Sequence, residues 1–204
     1  GGDCMEALDE KIAMLERGQR LEKRKSEQVI IEAVEEEQLS IDDIRAGIQK
    51  GHVVFPEDRE LTFKTNFLFS EKIPLIYIDD FYTDYQETEE MVIYVNNKRD
   101  MGQTLVHLPK EMEKISVESW AEQIKTGMKE QGLYTDIVKK KKLENLDYII
   151  YRTPSKRGWI YNIIFRIHKE KWNIVGAYNC KEDDKDTYGL LMEAMVLEMQ
   201  MQIK

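Results

Sequence analysis

The stretch from Tyr134 to Tyr178 constrains this chain more than any other. Four runs of strand character follow one another there, about Tyr134 to Lys141, Leu146 to Arg152, Trp159 to His168 and Trp172 to Tyr178. All are rich in β-branched and aromatic residues, and only a few polar residues join them. A parallel crossover needs a dozen or more residues, so these joins predict an antiparallel meander. In the last hairpin, Lys169, Glu170 and Lys171 form the turn, and a simple register sets His168 opposite Trp172 and Ile160 near Cys180. His168 and Cys180 then lie at opposite ends of the hairpin, roughly 26 Å apart at about 3.3 Å per residue. A thiolate and an imidazole that act together need ~3 Å. Cys180 therefore reads as a small apolar core residue.

Upstream, the period is again that of strands. Phe63, Phe67 and Phe69 punctuate "VVFPEDRELTFKTNFLF", and "PLIYIDD" and "EMVIYVNN" follow. The last leads through "NNKRDMG" into "QTLVHL", a hairpin whose loop residues Asn96, Asn97, Asp100 and Gly102 suit turns. Ser116 then opens a helix with Trp120, Ile124 and Met128 on one face, and Gly132 supplies a left-handed stop. Gly176 interrupts a bulky strand and predicts a bulge or the close approach of an overlying side chain, with the final helix as its natural source.

The two ends of the chain read as helices. From residue 3 to 51 a helical, coiled-coil-like segment is expected, with Leu8, Ile12 and Leu15 on one seam, Ile30 and Val34 on another, and a short capped helix from Ser40 to Gly51. Such thin apolar seams call for a partner helix. At the other end, about Asp184 to Ile203, apolar residues surround the helix almost completely, and Met195 and Met199 suit an adaptable contact surface. A single sheet cannot cover all of it, so Leu8, Ile12, Leu15, Ile30, Val34, Met195 and Met199 are the expected partner-binding residues.

Charge and motifs exclude more than they assign. A net charge of -9 over 204 residues repels phosphate backbones and anionic lipid, so nucleic acid is not the expected partner. No run of residues is long and apolar enough for membrane insertion. Two cysteines supply no disulfide framework, and Cys4 follows Asp3 rather than the small apolar residues that precede a lipid-modified cysteine. A cytoplasmic location is the expectation. The acidic run Glu182 to Asp186 lacks the glycine turn of a calcium loop and reads as a helix-capping loop. Lys139 to Lys142 read as edge-strand lysines that discourage aggregation. No phosphate loop, serine elbow or zinc helix is present, so no cofactor, metal or catalytic residue is assigned.

The segment "GAYNC" closing a strand, followed by an acidic turn and a C-terminal helix, resembles the Gly-x-Phe-Asn-Cys ending of PsbP-like proteins, with Tyr178 in place of the phenylalanine. The order of elements over residues 52 to 204 is similar too. The resemblance implies an α+β fold, a twisted antiparallel sheet flanked by helices, used mostly for binding or assembly. The expected domains are thus a helical segment, 3–51, and a PsbP-like antiparallel sandwich, 52–204. The expected function is non-enzymatic protein binding: an adaptor or chaperone for a client such as a type VII secreted protein, or self-association into a homo-oligomer. Two other readings stay open: an immunity protein that blocks a toxin with acidic surface such as Glu35 to Glu37 or Glu182 to Asp186, and an enzyme whose site, with His52 or His107, assembles only in space.

Overall fold

The computed structural model describes residues 20–25, 39–57, 59–70, 72–168 and 171–203. The chain divides into two compact units, residues 1–38 and 39–204. Of the first, the described part is an exposed helical run, residues 20–25. Leu8, Ile12, Leu15, Ile30, Val34 and Glu35 to Glu37 lie outside the described residues.

The second unit opens with helix α1 (Ile41–Lys50). Ser40 caps its start by accepting a hydrogen bond from the Asp43 N–H, and Gly51 ends it in the left-handed region at φ 91°. Strands β1 (His52–Phe55), β2 (Arg59–Leu68) and β3 (Ile73–Ile78) then pair in sequence order as a three-stranded antiparallel sheet.

A separate seven-stranded sheet holds β4 (Asp84–Glu87), β5 (Met91–Asn96), β6 (Met101–His107), β7 (Asp136–Lys142), β8 (Leu146–Ser155), β9 (Gly158–Ile167) and β10 (Ile174–Lys181), in the order β4-β5-β6-β10-β9-β8-β7. Every neighbouring pair is antiparallel. Helix α2 (Val117–Glu130) joins β6 to β7, and helix α3 (Leu190–Gln202) follows β10 after a 3-10 turn (Glu182–Asp184) and a π turn (Lys185–Gly189).

This corrects the expected α+β class with its single helix-flanked sheet: the fold is mostly β, with two antiparallel sheets of three and seven strands. Periodicity marks each strand, but it does not say that β1 to β3 bond only to one another. The meander from β7 to β10 is present as read. Its last hairpin is shifted by one residue, because Ile174 pairs with Ile167 and so Cys180 faces Tyr161. Trp172 takes a positive φ of 51°, and the carbonyls of Trp172 and Asn173 accept from the Met112 and Leu108 N–H groups, so the pairing with β9 begins only at Ile174. A one-residue slip decides which face a strand buries. Here it sends Tyr178 and Cys180 into the core.

The main core lies on one face of the large sheet. Leu105, Tyr148, Ile163, Phe165 and Tyr178 pack there with α3, with Ile44 and Ile48 of α1, and with Leu75, Ile76 and Ile78 of β3. The opposite face is treated differently: Val117 and Ala121 of α2 pack on Ile149, with Trp120, Ile124, Ile137, Tyr151 and Ile164 around them.

Candidate functional site

Met195 and Met199 are fully buried, at 0% exposure each, and the Gln103 amide reaches the Met195 sulfur at 4.0 Å. They offer no surface to a partner. The physical reason is the second sheet: α3 is covered by the seven-stranded sheet on one side and by β3 and α1 on others. Its polar residues are paired as well. Glu193 accepts from the Tyr148 hydroxyl at 2.6 Å and from Lys139 at 2.7 Å, and Glu198 accepts from Arg45 at 2.6 Å and Gln49 at 3.1 Å. Tyr148 and Lys139 thus tie α3 to the large sheet, and Arg45 and Gln49 tie it to α1.

A partly open surface lies on the other face of the large sheet. Helix α2 packs on β7 and β8 and reaches Ile164 of β9. Beyond it, three cross-strand rows run over β9, β10, β6 and β5. They are Arg166, Val175, Val106 and Met91; then Ile164, Ala177, Thr104 and Ile93; then Asn162, Asn179, Gly102 and Val95. The two central strands carry small side chains, Ala177, Thr104 and Gly102, while Ile164 on one flank and Met91, Ile93 and Val95 on the other are larger. The result is a shallow trough, lowest at Ala177 and Gly102, with an apolar wall on the β5 side and Ile164 flanked by Arg166 and Asn162 on the β9 side. Ala177 is exposed, and Met91, Ile93, Val95, Thr104, Val106 and Val175 are half-buried.

A signal for this trough was present in the sequence. "MVIYV" in β5 is apolar at every position, and a strand that is apolar on both faces wants cover on both. Val92 and Tyr94 receive theirs from the core. Met91, Ile93 and Val95 stay half-buried.

At one end of the trough stands a buried cation. Arg166, 1% exposed, donates to Asp147 Oδ2 from Nε at 3.1 Å and Nη2 at 2.7 Å, and also to the Ile115 carbonyl. Its guanidinium lies between the rings of Trp120, 4.6 Å away, and Trp172, 5.5 Å away, where the ring faces attract the charge. His168 stacks on Trp172 at 4.3 Å. Its Nε2 is 2.9 Å from Asp147 Oδ1 but out of line for a hydrogen bond, which leaves both atoms buried without one.

At the other end is a cavity of about 330 Å³, lined by Val95, Gly102, Thr104, Trp159, Ile160 and Asn179, with Arg157, Asp100 and Lys181 beside them. Asp100 lies 3.5 Å from both Arg157 and Lys181. With Lys98 and Lys156 exposed in the adjoining turns, this end of the trough is basic. The turn at the far end of β5 carries Glu89 and Glu90, both exposed, so the trough has a basic end and an acidic one.

Burial pushes the Cys180 thiol far above its ordinary range, and Asp184 and Glu182 add to the shift, so the reactive thiolate is disfavoured. His52 lies exposed on β1 of the small sheet, whereas His107 on β6 packs against Phe69 and contacts Asn173. Among the described residues, no three His, Cys, Asp or Glu side chains gather where a metal ion would sit, and no helix is long and apolar enough to cross a membrane. The chain matches no family model and no curated protein.

Proposed function

We propose that this protein is a non-enzymatic client-binding module, an adaptor or chaperone, that holds an apolar helical segment of another protein in the trough over β10, β6 and β5. The observation that carries this reading is the unequal cover of one sheet: one face is sealed by α3, while α2 reaches only half of the other. Strands lie about 4.8 Å apart, so three of them offer a width close to the 10–12 Å diameter of one helix. Small side chains on the floor admit close approach, and Met91, Ile93 and Val95 on one side with Ile164 on the other supply apolar contact. The basic end at Arg157, Lys181, Lys98 and Lys156 favours an occupant that is acidic there, and the charge falls to Glu89 and Glu90 at the opposite end. Binding therefore falls to the sheet, since Met195 and Met199 have no surface to give.

A photo-crosslinking residue placed at Ala177, with Lys125 on exposed α2 surface as the control position, tests this in the native host. The expected product from position 177 is a foreign protein joined through an apolar, helix-compatible segment with acidic residues at one end, and Val106→Glu abolishes it. Crosslinks from position 177 that are no richer than those from 125, or that stay within the chain itself, overturn the reading.

A further inference from the structure

The two edges of the seven-stranded sheet carry opposite charge. One edge is β7, whose Lys140, Lys141 and Lys142 are exposed and make no ion pair among the described residues; Lys139 beside them is held by Glu193. The other edge is β4, where Asp84, Glu87, Glu89 and Glu90 fall within residues 84–90, all exposed, with no Lys or Arg among them. Lysines on an edge strand ordinarily keep sheets from joining. That protection works between like edges: β7 repels another β7, and β4 repels another β4. It fails between unlike ones.

We propose that the chain self-associates head to tail, the β7 edge of one copy against the β4 edge of the next. The lengths agree: a register break between Ile137 and Lys139 limits the regular part of β7 to Lys139 through Lys142, and β4 is four residues long, Asp84 through Glu87. Unpaired backbone groups on both edges supply the ladder, and opposite charges across it set the pairing. Such a contact is heterologous, so it repeats into short open chains rather than closing as a two-fold dimer. With so few paired residues the contact is weak, and salt weakens it further as the screening length falls from about 10 Å at 0.1 M to about 3 Å at 1 M. The inference does not depend on the trough or its occupant.

Sedimentation equilibrium of the full purified chain tests it. The wild-type chain is expected to associate at low ionic strength and to dissociate as salt is raised. Lys140→Glu with Lys142→Glu, and separately Glu87→Lys with Glu89→Lys, each weaken association by about tenfold or more, because like charges then face each other. An equimolar mixture of the two variants recovers it, since each acidic edge again meets a basic one. All four side chains are exposed, and Lys140→Gln with Lys142→Gln gives the same direction of change should a charge reversal unfold the chain. A wild-type monomer at low salt overturns the proposal. So does association that neither variant weakens, which would place the contact elsewhere in the chain, and so does a mixture that fails to recover.

Discussion

The ring of Phe165 occupies the space where a side chain on Gly176 would begin. The two residues are cross-strand partners on β9 and β10, and an added Cβ at Gly176 would lie 1.9 Å from the Phe165 Cζ. The overlying side chain thus comes from the neighbouring strand and not from the final helix. Phe165 itself is fully buried and meets Tyr178 edge-on at 5.1 Å, so it has nowhere to retreat. Gly176→Ala is expected to cost about 1–3 kcal/mol through overpacking. Urea denaturation measures it. Adding Phe165→Leu to Gly176→Ala should recover part of the loss, and strictly additive effects of the two substitutions would show that the ring is not the obstacle.

Arg166 and Asp147 supply a second test. Both are nearly inaccessible, at 1% and 2% exposure, and removing the cation leaves a carboxylate buried without its partner. Arg166→Ala is expected to destabilise the fold by about 3–5 kcal/mol, whereas Arg166→Met combined with Asp147→Leu costs much less, because it removes both charges and keeps apolar volume. Denaturant midpoints for the three proteins decide it. A double replacement as damaging as the single one would mean that the Trp120 and Trp172 rings, rather than the ion pair, depend on the guanidinium.

How far these relationships could be read in advance varies with their range along the chain. The caps at Ser40, Gly51 and Ser116 and the stop at Gly132 are local, and the residues that make them identify themselves. The β7 to β10 meander is nearly local, because short turns leave no other pairing. The separation of β1 to β3 into their own sheet is not local. Neither is the burial of Met195 and Met199, which follows from it: a helix apolar on nearly every side looks unpartnered until a second sheet is known to lie against it. The one-residue shift of the last hairpin came from Trp172 and Asn173, whose left-handed backbone and Leu108 contact belong to tertiary structure. The trough was legible only in outline, through the unbroken apolar run of β5.

Cys180 should be silent in the native state. Its side chain is 1% exposed, and burial raises its thiol far above the ordinary range, so both access and thiolate population are low. In a Cys4→Ser background, a thiol reagent such as dithionitrobenzoate is expected to find no reactive group until denaturant is added, and then one per chain. Prompt reaction of the native protein would mean that the β10 end of the core opens freely.

The tyrosines predict how the fold fails in alkali. Burial raises the phenols of Tyr82, Tyr148, Tyr161 and Tyr178 far above their ordinary value, and at Tyr148 the neighbouring Glu193 carboxylate raises it further. In the unfolded chain these groups ionise near pH 10. A group whose pKa is raised by folding gives stability that is complete below the unfolded value and is lost as pH climbs towards the folded one. Stability should therefore hold up to about pH 10 and fall steeply above it. Phenolate absorbance near 295 nm from these buried groups is expected to rise in a cooperative step that coincides with loss of the far-ultraviolet circular dichroism signal, after any absorbance from solvent-exposed phenols. Replacing Tyr148 by Phe removes one such group and its bond to Glu193, so it should shrink the cooperative step and move it to higher pH at the cost of some stability near neutrality. A single gradual titration, with the β signal intact throughout, would mean that these hydroxyls reach water without unfolding.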